Sequence, residues 1–122
     1  MSTFRGKLTN GFIADMEFDI DVASTKYSGS NINAPVLMVI NLFPFKNSTG
    51  EEKIRVQLSD GSTQTCFGLL SNMELYHETG LAVGSVIRVS HFLLQNTCGK
   101  RYTNIEGIDL DVAALIKELI WM

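Results

Sequence analysis

The residues of this chain best suited to chemistry are cations set at alternate positions. In Lys53-Ile54-Arg55-Val56-Gln57-Leu58 the apolar set Ile54, Val56 and Leu58 interleaves with Lys53, Arg55 and Gln57. A strand has a side-chain period of two, so the apolar residues take one face and both cations the other. Lys46 precedes this run across a polar turn, and Lys100 and Arg101 follow Gly99 later in the chain. Arginine holds a carboxylate or phosphate with two parallel donors, whereas lysine acts as a point charge. The chemistry these five residues offer is reversible binding of an anion.

Catalysis has less to work with. His77 falls in a helical stretch and His91 in a strand, neither with a matched nucleophile, and both read as structural residues. Asp60, in Ser59-Asp60-Gly61, has the type and place of a turn former. There is no glycine-rich phosphate cradle. Cys66 and Cys98 fit no metal-ligand spacing and read as two separate thiols rather than a disulfide or redox pair. The expectation is a binding domain with no enzymatic activity, metal or cofactor.

Composition narrows the ligand. The 122 residues include 45% hydrophobic side chains and seven Phe, enough for one domain with a real core. The net charge of −3 excludes a nucleic-acid polycation, so any anion must meet a local cluster of the ten Lys and Arg. No apolar run approaches the length of a membrane span, and Met1 to Gly11 lacks a signal core, so the chain reads as intracellular.

The elements that must position the cations follow from periodicity. After a tail at 1–7, Thr9 or Asn10 is placed to cap a helix carrying Phe12, Ile13 and Met16. Asp15, Glu17, Asp19 and Asp21 alternate with Met16, Phe18, Ile20 and Val22, which fits a helix end entering an extended segment, or a short strand. Residues 23–34 are rich in Ser, Asn and Gly and read as a loop, closed by Pro35. The apolar run Val36 to Phe45 makes strand one, and the Lys53 run makes strand two after a turn at Asn47 to Glu51. Strand three spans about Thr63 to Leu70, with Gly68 a candidate bulge. Ser71 with Glu74 three residues on, ending at Gly80, is a capping-box helix. Strand four runs from Ser85 to Gln95 and loses parity at Phe92 to Leu94. Strand five runs from Lys100 to Leu110, and a C-terminal helix from Asp111 to Trp121.

Five short strands, with a helix between the third and fourth and helices at both ends, is the order of a mainly β oligonucleotide/oligosaccharide-binding (OB-fold) barrel. Its working surface is the outer face of strands two and three, flanked by the loops Lys46 to Glu52 and Asn96 to Gly99. Lys46, Lys53, Arg55, Lys100 and Arg101, half of the chain's cations, converge there. The seven Phe fall mostly in apolar runs, so outer-face aromatics are expected to be sparse.

The segments LTNGFI, VLMVINLFPF, KIRVQLSDG and VIRVSHFLLQN, with GKRY after them, resemble the N-terminal domain of the large subunit of replication protein A over roughly residues 8–112. The resemblance implies a nuclear docking module whose basic groove takes acidic amphipathic helices of replication, repair, recombination or checkpoint proteins, with at most weak single-stranded DNA binding. Other subunits of a heterotrimer would join through the rest of a longer chain. The family's cationic groove positions fall on Lys53, Arg55 and Lys100, with Arg101 beside the last. Phe43 and Tyr102 are placed to meet apolar anchors. Two departures stand out: Phe43 occupies a position where the family commonly has Arg, and the loop at 23–34 is longer. Both leave room for a specialised paralogue, such as a telomere-specific large subunit. The alternative function is direct single-stranded nucleic-acid binding, with phosphates on the cations and bases stacked on Phe43, Phe67 or Tyr102.

Overall fold

The computed structural model of the protein describes residues 8–27 and 33–110. Strands β1 (Val36–Lys46), β2 (Glu52–Ser59), β3 (Thr65–Leu70), β4 (Val86–Thr97) and β5 (Lys100–Leu110) close a barrel in the order β1-β2-β3-β5-β4. The β3–β5 pairing is parallel and the others are antiparallel. Helices α1 (Phe12–Phe18) and α2 (Ile20–Tyr27) precede the barrel, and α3 (Met73–Thr79) lies between β3 and β4. This is the expected OB-fold architecture. The tail at 1–7 and the helix expected at 111–121 lie outside the described residues.

Strand parity builds the core. Leu37 and Val39 of β1, Ile54, Val56 and Leu58 of β2, Ile87 and Val89 of β4 and Ile105 of β5 are all buried, and α1 adds Phe12, Ile13 and Met16. Parity breaks where the register shifts, between Val39 and Asn41 in β1 and around His91 in β4. Each extra residue re-aims the half-strand beyond it. In β4 the bulge turns Phe92 and Leu94 toward the core, which explains the irregular pattern there. In β1 it turns Leu42 inward and leaves Phe43 43% exposed.

Gly68 is no bulge. A Cβ at this buried position would lie 2.8 Å from Ile105 Cδ1 and 3.1 Å from Val56 Cγ2. It is a glycine because the barrel interior has no room for a side chain there. The register shifts lie elsewhere, between Val39 and Asn41 in β1 and at the His91–Gly107 pair of β4 and β5.

The helix caps differ from the simplest expectation. The N-cap of α3 is Asn72 rather than Ser71, its Oδ1 accepting from the Leu75 N–H at 3.2 Å, and Gly80 closes the helix at φ 64°. Neither Thr9 nor Asn10 caps α1. Thr9 instead pairs with Val36, its N–H donating to the Val36 carbonyl and its hydroxyl accepting from the Val36 N–H, both at 2.9 Å. The cap comes from the β2–β3 turn, where Asp60 Oδ2 accepts from the N–H groups of Gly11 and Ile13, each at 3.1 Å. Asp60 Oδ1 accepts from the Ser62 N–H at 2.9 Å and from its hydroxyl. Asp60 is therefore a turn former that also ties the barrel to α1.

Residues 20–22, expected as an extended segment or short strand, and residues 23–27, expected in a loop, form one helix, α2. Asp19 alone is extended, at φ −154°, and its Oδ1 accepts from the N–H groups of Asp21 and Val22 to start α2. Asp15 Oδ2 then accepts from Lys26 Nζ at 2.8 Å and the Tyr27 hydroxyl at 2.6 Å, locking α2 against α1. Ala23 and Tyr27 are buried, and the Tyr27 ring meets Phe12 edge-on at 4.9 Å. Tertiary contacts hold this helix where intrinsic propensity is weak.

Candidate binding groove

The candidate site grows from register. Phe43 lies opposite Arg55, Phe45 opposite Lys53, Gln57 opposite Phe67, and Phe67 beside Tyr102. Directly paired residues share a sheet face, so four strands contribute to one outer surface. A groove of about 630 Å³ runs along it, lined by Phe45, Arg55, Phe67, Lys100 and Tyr102, with Glu17 of α1 at one edge.

Arg55 is the centre. Its guanidinium lies 5.5 Å from the Phe45 ring centroid and 5.9 Å from that of Phe67, within cation–π range of both. The Phe43 and Phe67 rings are 6.3 Å apart at 53°, and each is 43% exposed. Outer-face aromatics are thus not sparse. Phe43, Phe45 and Phe67 all belong to this surface, because the β1 bulge re-aims the Phe43-Pro44-Phe45 segment. Phe45 was absent from the site residues read from sequence, and its pairing with Lys53 is the signal that identifies it.

The other predicted cations divide. Lys100 is exposed and lines the groove. Lys53 donates from Nζ to the Ser71 carbonyl at 3.1 Å, just past the end of β3. Arg101 donates from Nη1 to the Met16 carbonyl at 2.8 Å and to the Glu17 carbonyl, so it caps the C-terminal end of α1 while lining the groove. Lys46 is exposed at the end of β1 opposite Glu52, outside the groove lining. Among the described residues, Arg55 and Lys100 are the groove cations not committed to a protein oxygen.

Both flanking loops are short and braced. In the β1–β2 loop, Asn47 Oδ1 accepts from the Thr49 N–H, the Thr49 hydroxyl and the Glu51 N–H. The β4–β5 connection is a two-residue turn, Cys98-Gly99, with φ of 53° and 77°. Positive φ at both central residues is the signature of a type I′ hairpin turn. The walls of the groove are therefore preformed.

Of the remaining chemical candidates, Cys66 lines the groove, whereas Cys98, His77 and His91 do not. Cys66 and Cys98 are both free. Cys66 is buried, which together with the charges of Asp60 and Glu17 pushes its thiol up to about 12, so it stays protonated. Cys98 is exposed at the turn. His77 stacks edge-on against Tyr76, and His91 contacts the Ser90 hydroxyl. Among the described residues no group of His, Cys, Asp or Glu is arranged to hold a metal ion, and no helix is long and apolar enough to cross a membrane. Set beside known proteins, the sequence matches no protein-family model and no curated protein.

Proposed function

We propose that this domain is a docking module that binds acidic amphipathic helices in the groove between the β1-β2-β3 face and β5. The observation that carries the reading is the pairing of a cation in cation–π range of two rings with exposed aromatic surface. Arg55, held between Phe45 and Phe67, stands next to Phe43, and Lys100 lines the opposite wall. An acidic amphipathic helix presents carboxylates on one face and Leu, Phe or Trp anchors on another, which suits such a surface. Exposed ion pairs contribute only about 0–1 kcal/mol each, so the apolar anchors on Phe43, Phe67 and Tyr102 supply much of the affinity. The resemblance to the replication protein A large subunit supports the same assignment. It adds nuclear replication, repair and checkpoint proteins as partners, and further subunits of a complex through a longer chain.

One observation favours a second reading. Phe43 on β1, Phe67 on β3 and Tyr102 on β5 share one face, with Arg55 of β2 between the first two, an arrangement on which bases of a single strand can stack. Fluorescence anisotropy with a labelled acidic helical peptide and a labelled oligonucleotide ranks the two. We expect tighter peptide binding at physiological salt, and tighter oligonucleotide binding would reverse the order. Arg55→Glu with Lys100→Glu should weaken the peptide at least ~10-fold, and Phe67→Ala should cost about 1–2 kcal/mol of binding. Unchanged affinity in both, with circular dichroism intact, would remove the groove from consideration.

A further inference from the structure

The groove's chemical complement is present on the same molecule. Among the described residues Phe18 is the most exposed large apolar side chain, at 89%, and Val22 is 60% exposed. Both lie at the corner where α1 meets α2, beside Glu17 and Asp21, which are exposed as well. The other two acids of this segment are occupied. Asp15 binds Lys26 and Tyr27, and Asp19 starts α2. Among the described residues, no hydrogen bond or ion pair engages the carboxylates of Glu17 or Asp21. The corner is an acidic, apolar, helical element.

We propose that the domain self-associates as a two-fold dimer in which the α1–α2 corner of each copy, Glu17, Phe18, Asp21 and Val22, occupies the Arg55–Lys100 groove of the other. This rests on the docking reading in one respect, that the groove accepts acidic helical elements. Two placements carry the inference further. At 89% exposure Phe18 does not fill its own groove, which leaves it available to another molecule. Glu17 also lines the groove edge, and Arg101 grips the adjacent α1 carbonyls, so corner and groove are contiguous. A patch beside its own complement can pair with itself across a two-fold axis, and in that isologous arrangement the contact closes at two copies instead of propagating. The dimer covers both grooves, so an acidic helical partner competes with self-association.

A compensating charge swap tests this on the full chain. Sedimentation equilibrium should show concentration-dependent dimers that weaken as salt rises. Glu17→Lys with Asp21→Lys makes corner and groove both cationic, and Arg55→Glu with Lys100→Glu makes both anionic. Each variant alone should self-associate at least tenfold more weakly, and an equimolar mixture should recover dimers, because each altered corner then meets an opposite groove. A monomer at every concentration overturns the proposal, as does a mixture that stays monomeric while both variants keep their circular dichroism. Phe18→Ser with Val22→Ser gives an independent arm: it should abolish dimers and leave acidic-peptide binding intact or tighter. Peptide binding without any dimer sinks the self-association alone. Dimers restored by the swap, with no peptide binding, sink the docking reading as stated.

Discussion

A guanidinium within cation–π range of two phenyl rings is restrained on two sides, so Arg55 can offer its N–H edges to a ligand at reduced entropic cost. Lys53 and Arg101 show the opposite use of a cation, each spent on a backbone carbonyl. Parity places Lys53 and Arg55 on strand two, and the turn at Asn96 to Gly99 places Arg101 on strand five. Strand position sets only the direction of a Cβ, however, and the end of a long side chain goes where an acceptor lies. Asp60 was legible as a turn residue for the same local reasons, while its bonds to Gly11 and Ile13, nearly fifty positions away, have no sequence signal. Burial pushes the Asp60 carboxyl up, but the donors from Ser62, Ile13 and Gly11 outweigh it and hold it below its ordinary 3.8. A carboxyl depressed in the fold contributes stability that is complete above the unfolded value and lost as pH falls through the folded one. Asp60→Ala should therefore cost about 2–3 kcal/mol at neutral pH, as a lowered urea midpoint with unchanged slope. Asp60→Asn should lose less at neutral pH and show a flatter acid transition below pH 3.8. An acid transition identical to wild type in that variant would contradict the assignment.

At the level of elements, strand faces were readable because alternation over Lys53 to Leu58 has one solution, whereas bulges are decided by pairing with a neighbour. The β1 shift between Val39 and Asn41 explains how a nearly continuous apolar run serves the core with Leu37 and the groove with Phe45. Helix α2 was hidden for a different reason. Ile20 to Tyr27 mixes β-branched, Ser and Asp residues, and the Asp19 cap, the Asp15 clamp and the burial of Ala23 and Tyr27 make it a helix. Gly68 illustrates how one absent side chain sets the spacing of three strands. Its Cβ would press on Ile105 and on Val56 and Leu58. Gly68→Ala should cost about 1–3 kcal/mol by overpacking, read as a lowered thermal midpoint. The partner double change Gly68→Ala with Ile105→Val should recover part of the loss, since Ile105 Cδ1 is the nearest atom. No recovery would place the strain in the backbone instead.

For the whole molecule, the balance of charge decides how strongly salt acts. The chain carries ten cations against thirteen acids, so attraction of an anionic partner depends on the groove and not on the overall field. Within the groove Lys53 and Arg101 hold carbonyl oxygens, leaving Arg55 and Lys100 to meet charge. This bounds the ionic response of any ligand. Binding of a single strand loses affinity with a log–log slope of about −0.7 per phosphate neutralised, so two free cations predict a slope near −1.4. A slope near −2.8 would require four contacts. Lys53 and Arg101 would then have to leave Ser71 and the end of α1, loosening the N-terminal helices. Anisotropy titrations of an oligonucleotide from low to physiological salt measure that slope directly. A shallow slope keeps the groove as a preformed surface, and a steep one, accompanied by faster amide exchange in α1, would mean that binding remodels the helix that Arg101 caps.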